Sequence, residues 1–189
     1  LSAIILESDI QTYIDSLFSS LSKKSSNIIY EPPIRSILER DTFSSEEYFG
    51  PYWKDILDNN AYLKLINEFL THPTLLDLDY ELVLETFESN LRDKDLKTLV
   101  LKNLVNGKIH SFKDVGTGLS QLIPIISAIS VMKESVILME QPELHLHPGL
   151  QSRFGRILSR IPKGSNKAII ETHSEHVIKA LQVEVAKYK

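Results

Sequence analysis

The sequence predicts an α/β fold: parallel strands flanked by helices, with a small antiparallel β region and a helical segment. Three observations predict it. From residue 114 onward, short apolar runs alternate with helix-length segments, at the spacing of a parallel sheet with helical crossovers. Over 80–88 the residues alternate as in a strand, although Val83 and Phe87 make both faces apolar, and Asn106-Gly107 separates two β-rich runs, a strong hairpin signal. Before residue 79 the apolar spacing is mostly helical, punctuated by proline and glycine.

The bulk properties narrow the class. A chain of 189 residues suits one domain or two small ones, and 42% hydrophobic with 24% charged residues supplies an ordinary core. The net charge of −4 excludes a global basic field for nucleic acid and leaves only a local patch as a route to DNA. With no cysteine, disulfides and thiolate metal sites are excluded. No signal-peptide pattern opens the chain, and no run reaches the ~18 apolar residues of a membrane span, so a cytoplasmic protein without membrane contact is expected. The chain opens at Leu1, without Met, directly in helix-like sequence, so a fragment of something longer is expected.

Three regions follow in order. Residues 1–78 are expected to form a helical or lid region with one short strand. Ile4, Ile5, Ile10, Ile14, Leu17, Phe18 and Leu21 share one helical face, and Ile28-Ile29-Tyr30 reads as a strand ended by Pro32-Pro33. Residues 34–60 are mixed and polar, with Gly50-Pro51 as a break; Ser44-Ser45-Glu46-Glu47 can open a helix, and 61–70 forms a better one. Residues 79–113 form the antiparallel β region, with strands over 80–88 and on either side of Asn106-Gly107. Residues 114–189 hold a glycine-containing loop, a helix to about Met132, a strand over 135–139, a helix from about Pro148 to Ile161, a strand over 168–170 and a helix from Ser174.

Three stretches of this last region can carry chemistry. The apolar run Val136-Ile137-Leu138-Met139 ends in Glu140-Gln141-Pro142-Glu143-Leu144-His145-Leu146-His147-Pro148. An acid at the tip of a buried strand suits a magnesium–phosphate site, because Mg2+ takes hard oxygen ligands from one or two carboxylates, water and phosphate. Glu140 stands at that place, and Gln141 can orient a water but cannot take its proton. The competing reading is a plain exposed strand end. The loop Asp114-Val115-Gly116-Thr117-Gly118, followed by Leu119-Ser120-Gln121, offers backbone N–H groups and a hydroxyl to an anion; alternatively it is a flexible turn with Ser120 as N-cap. Glu171-Thr172-His173-Ser174 puts a histidine just beyond a strand tip, where it can meet a phosphate, or it is a capping turn with Ser174 as N-cap; both hold together. A zinc site from His173 with His145, His147 and His176 is a third, minor alternative.

In this order and spacing the stretches resemble the second half of an ABC-class ATPase head of the RecF/SMC kind. Residues 114–121 look like the signature loop, Val136–Gln141 like the Walker B strand, Glu143–Pro148 like the D-loop and His173 like the switch histidine. EQPELHLHP and ETHSEH are similar to a branch of bacterial AAA-type ATPases neighbouring the overcoming-lysogenization-defect nucleases, and Tyr30-Glu31-Pro32-Pro33-Ile34-Arg35 loosely resembles a Pro–Arg segment of that branch. The resemblance is specific over 112–182 and thin before 80.

The resemblance implies ATP and Mg2+ as ligands of a complete head, and a homodimer of heads whose work falls on DNA, in repair, DNA handling or phage defence. It implies that Glu140 holds Mg2+ through water, and that Gln141, with Glu143 and His173, serves catalysis. It also implies that Gly116, Thr117, Gly118, Ser120 and Gln121 meet ATP bound to the partner head, with the hydroxyl contact coming from Thr117 or Ser120. The departures matter: Glu140-Gln141 stands where an Asp-Glu pair is usual, and the chain has no GxxxxGK[ST] phosphate cradle. The missing Walker A loop is expected on an N-terminal lobe, so the chain alone is expected to be inactive. A docking module without catalysis, or a gene remnant, is the alternative.

Overall fold

The computed structural model describes residues 27–31, 53–87, 96–161 and 166–187. The helix expected over 4–22, the helix start at 44–47 and the Pro–Arg segment beyond Glu31 lie outside the described residues. In chain order the elements are β1 (Asn27–Glu31), α1 (Trp53–Asp58), α2 (Asn60–Thr71), β2 (Tyr80–Phe87), β3 (Leu96–Asn103), β4 (Ile109–His110), α3 (Thr117–Val131), β5 (Ser135–Glu140), α4 (Pro148–Leu158), β6 (Lys167–Glu171) and α5 (Glu175–Ala186).

Two sheets organise them, and the α/β class read from the sequence is the class observed. The first is parallel, in the order β1-β5-β6. The strand of the 1–78 region therefore lies in the same sheet as the strands of the 114–189 region. β5 has a neighbour on each side, which explains its unbroken apolar run: Val136, Ile137 and Met139 are all buried. Ile29 lies opposite Ile137 and Ile137 opposite Ala168, so these residues share one face of the sheet and sink into the core. The other face carries Ile28, Tyr30 and Ile169, which remain 59%, 54% and 43% exposed.

The second sheet is antiparallel, in the order β2-β3-β4. Leu82 pairs with Leu101, Leu84 with Leu99, and this face joins the same core. Asn67 of α2 closes the outer edge of β2: its Nδ2 donates to the Leu82 carbonyl at 2.9 Å, and its Oδ1 accepts from the Leu82 N–H at 2.7 Å. One amide side chain thereby satisfies two backbone groups that an edge strand would otherwise leave open.

The β3–β4 hairpin is present, but its turn differs from the two-residue Asn-Gly type. Asn103 N–H donates to the Lys108 carbonyl and Gly107 N–H to the Asn103 carbonyl, so residues 104–107 make the loop. Only Gly107 takes a positive φ, +70°, while the Asn103 carboxamide oxygen accepts from Val105 and Asn106 N–H. Asn103 therefore organises the turn together with Asn106, whose Oδ1 accepts from Lys108 N–H at 2.9 Å.

α3 runs through the middle. Every residue from Ser120 to Val131 is buried, so the helix is enclosed on all sides, and it packs against α1 and α2. α4 starts at Pro148, where the missing N–H costs nothing, with the His147 ring as its cap; it ends at Leu158, three residues short of the expected Ile161. Arg153 ties α4 to the turn after α2, donating to the Leu76 carbonyl and pairing with Asp77, both at 2.8 Å. Ser174 caps α5 as expected, accepting from Val177 N–H. The short α1 falls in the stretch that reads as mixed and polar; Ile56, fully buried, is its anchor. Among the described residues no helix is long and apolar enough to cross a membrane.

Candidate nucleotide site at the strand ends

The register of the parallel sheet decides which side chains meet. Glu140, last residue of β5, lies opposite Glu171, last residue of β6, at the carboxyl edge of the sheet. Tyr30 pairs with Leu138, two residues before Glu140, and so shares its face; its Oη donates to Glu140 Oε1 at 2.8 Å. That bond to a carboxylate, reinforced by partial desolvation and by the negative charge of Glu140 and Glu171, raises the Tyr30 hydroxyl above the ordinary tyrosine pKa of 10.0. The contact depends on a phenol that stays protonated. It is present below the ordinary range and is lost as pH climbs through the raised value.

After Glu140 the chain turns sharply. Gln141 N–H donates to the Glu171 carbonyl at 2.9 Å, prolonging the β5–β6 ladder by one bond. Gln141 itself sits at φ +44° and His145 at φ +68°, left-handed backbone that costs a residue with a Cβ about 1–2 kcal/mol. Leu144 N–H bonds back to the Gln141 carbonyl and Leu146 N–H to the Glu143 carbonyl, so 141–146 forms a tight double turn. Glu143 lies inside it. It is 8% exposed, and its Oε1 accepts from the backbone N–H of His173 at 3.0 Å. The His173 ring points out to solvent, with Nε2 3.9 Å from Glu171 Oε1, a loose exposed pair.

The 116–121 stretch divides in two. Gly116 and Thr117 are exposed and Gly118 half-buried, whereas Ser120 and Gln121 are buried. The N-cap of α3 is Gly116, so Ser120 is not the cap: it lies one turn inside the helix, and its Oγ donates to the Thr117 carbonyl at 2.9 Å. Of the two hydroxyls, Thr117 is the one on the surface. Gly118 is required for close approach, since a Cβ there would stand 2.6 Å from the His145 carbonyl oxygen. The first turn of α3 thus rests directly on the 141–146 turn.

The histidines do not assemble a metal centre. Among the described residues no group of three or more His, Asp or Glu is placed to hold an ion, and His147 Nδ1 is engaged with Leu150 N–H. Two contributors escaped the sequence reading. Tyr30 has a signal: the Ile-Ile-Tyr-Glu of β1 repeats the apolar-to-polar ending of β5. Gln151 has none. Its Nε2 donates to the Leu146 carbonyl at 2.8 Å and its Oε1 accepts from Ser174 Oγ at 2.7 Å, a bridge visible only in three dimensions.

The parallel sheet with an acid at the carboxyl edge of its central strand fits an ABC/AAA-type ATPase fold, and the family match gives that class. The model of the AAA_21 family, described as AAA domain, putative AbiEii toxin, Type IV TA system, matches residues 7–179, and the chain belongs to that family. No curated protein matches the sequence. Among solved structures, an SMC head bound to the C-terminal winged-helix domain of ScpA is similar at TM-score 0.53 and 10% identity, over 71% of this chain and 42% of that one. An SMC head with an extended coiled coil, bound to the C-terminal domain of ScpA derived from Pyrococcus furiosus, is similar at TM-score 0.50 and 12% identity, over 71% and 33%. A structure from work on ATP-driven dimerization and DNA-stimulated activation of SMC ATPases gives TM-score 0.49 and 11% identity, over 68% and 77%. The chain spans less than half the length of the first two heads.

Proposed function

We propose that this chain is the C-terminal half of an ATP-binding and ATP-hydrolysing head, completed by a lobe that carries a Walker A loop and paired with a second head. The observation that carries the reading is Glu140 at the carboxyl end of the central parallel strand, with Gln141 next in sequence and Glu171 opposite. Carboxylate and amide oxygens gathered at one sheet edge are the hard donor set that Mg2+ accepts, and the ion would offset the charge of the phosphates.

The chain's own groups divide the work. Glu140 would hold the Mg2+, and Tyr30 donates to one of its carboxylate oxygens. Gln141 orients the attacking water; an amide takes no proton, so the proton passes to phosphate or to another group. His173, exposed on its turn, meets the γ-phosphate. Gly116, Thr117 and Gly118 face ATP held by the partner head, with Thr117 as the hydroxyl donor, and Ser120 and Gln121 brace this loop from within. The three regions 1–78, 79–113 and 114–189 serve as a lid with one strand, a β platform and the catalytic subdomain. The work of such a head falls on DNA in the cytoplasm, in repair, DNA handling or defence against phage, and the toxin–antitoxin wording of the family description is compatible with defence.

A partly open sheet face supports a missing cover. Parallel sheets are covered on both faces, yet Ile28, Tyr30 and Ile169 are exposed on one, although Val136 of the same face is buried. The Walker A lobe is the cover. Reconstitution tests this: mixing the chain with that lobe yields an assembled head that hydrolyses ATP. Ile28→Asp with Ile169→Asp is expected to weaken association about 10-fold or more while leaving the chain folded, because both side chains are already exposed. Undiminished association, measured by analytical ultracentrifugation, would contradict that cover. Gln141, an amide where a base is usual, favours a second reading, an ATPase-like docking module, which predicts assembly without turnover.

A further inference from the structure

We infer that Glu143 is a positioning residue that fixes the backbone of His173 and, through the 141–146 turn, couples it to the 116–118 loop; the functional meaning of this coupling rests on the ATPase reading above. The first link is the bond from His173 N–H to Glu143 Oε1, across 30 residues of sequence. A carboxylate is an expensive choice for that task. Its other oxygen, Oε2, is buried and lacks a hydrogen-bond partner among the described residues, and a buried unsatisfied acceptor opposes folding. A smaller neutral acceptor would serve the fold better, so folding alone does not explain Glu143.

The second link ties the same turn to the residue after His173. Gln151 holds the Leu146 carbonyl with its Nε2 and Ser174 Oγ with its Oε1. His173 is therefore gripped on both sides by groups that belong to, or hang from, the turn. The third link is steric. Gly118 lets the first turn of α3 lie so close to His145 that a Cβ would be 2.6 Å from the His145 carbonyl oxygen and 3.3 Å from Leu146 Cδ2. The 116–118 loop has no room to advance without moving residues 145 and 146. Both corners of the turn, Gln141 and His145, hold left-handed backbone that the surrounding ties maintain.

A ligand that favours one position of the 116–118 loop thereby favours one position of the His173 backbone, and the coupling is reciprocal. In a paired head, that links occupancy of the partner's nucleotide to the switch histidine of this chain's own site.

The test has two arms. In the isolated chain, the His173 amide exchanges slowly with deuterium; Glu143→Ala accelerates it about 10-fold or more, whereas Glu143→Gln, which keeps an acceptor oxygen, preserves the protection. Unchanged exchange in Glu143→Ala overturns the proposal. Should that variant fail to fold, Gln151→Ala carries this arm: the His173 amide resonance must shift, and an unmoved resonance overturns the proposal. In the assembled head, Glu143→Ala lowers kcat about 10-fold with KM for ATP nearly unchanged, and Glu143→Gln restores most of the rate. An equal rise in KM with kcat intact would overturn the coupling. A wild-type head that hydrolyses no ATP would remove the ATPase reading, while the exchange arm still decides the role of Glu143.

Discussion

Glu140→Gln in the assembled head is expected to lower ATP turnover at least about 100-fold. The substitution keeps the shape of the side chain and an oxygen that accepts from Tyr30 Oη, so the β1–β5 contact survives while the charge is removed. Loss of rate without loss of fold is therefore expected. The same variant carries an internal control. The Glu140 carboxylate is the main cause of the raised Tyr30 pKa, so the Tyr30 Cζ resonance in Glu140→Gln should titrate closer to the ordinary tyrosine range. An unchanged ATPase rate alongside a lowered Tyr30 pKa would remove Glu140 from the metal role.

Phe154→Ala is expected to destabilise the chain by about 3–5 kcal/mol, measured by urea denaturation. Phe154 is the largest fully buried side chain among the described residues and lies on the face of α4 that enters the core. A loss of that size is a large share of the ~5–15 kcal/mol that holds an ordinary domain together. α4 also carries Gln151 and follows directly from the His147 cap, so the site should lose its order along with the helix. A cost below about 1 kcal/mol would mean that α4 is not seated as described.

Whether a feature leaves a local or a distant signal explains which features the sequence made legible. β5 and β6 announced themselves by apolar runs ended by acid, and Ser174 by its place before Glu175, because capping and strand burial are local events. The partner of β1 was not legible: Ile29 and Ile137 are far apart in the chain, and pairing at that separation leaves no pattern in either segment. Ser120 was ambiguous because a serine near a helix start suits a cap or a buried hydroxyl bonded one turn back, and only the cap at Gly116 decides. Gly118 invited an anion-binding reading; its immediate requirement is contact with the His145 carbonyl. The hairpin was legible at Asn106-Gly107, but the part played by Asn103, outside the dipeptide, was not. Glu143 stood in a motif that named it, but nothing in the motif says that its carboxylate holds a backbone N–H 30 residues away.

The central proposal is that half of a nucleotide site lies at the carboxyl edge of the β1-β5-β6 sheet and that another lobe supplies the phosphate cradle. Calorimetric titration of the isolated chain with ATP and Mg2+ tests that claim most directly. The expected result is no saturable binding, with any Kd weaker than about 1 mM, because no Gly-rich Lys loop is present to hold the phosphates. Binding at about 1 μM by the isolated chain would contradict it.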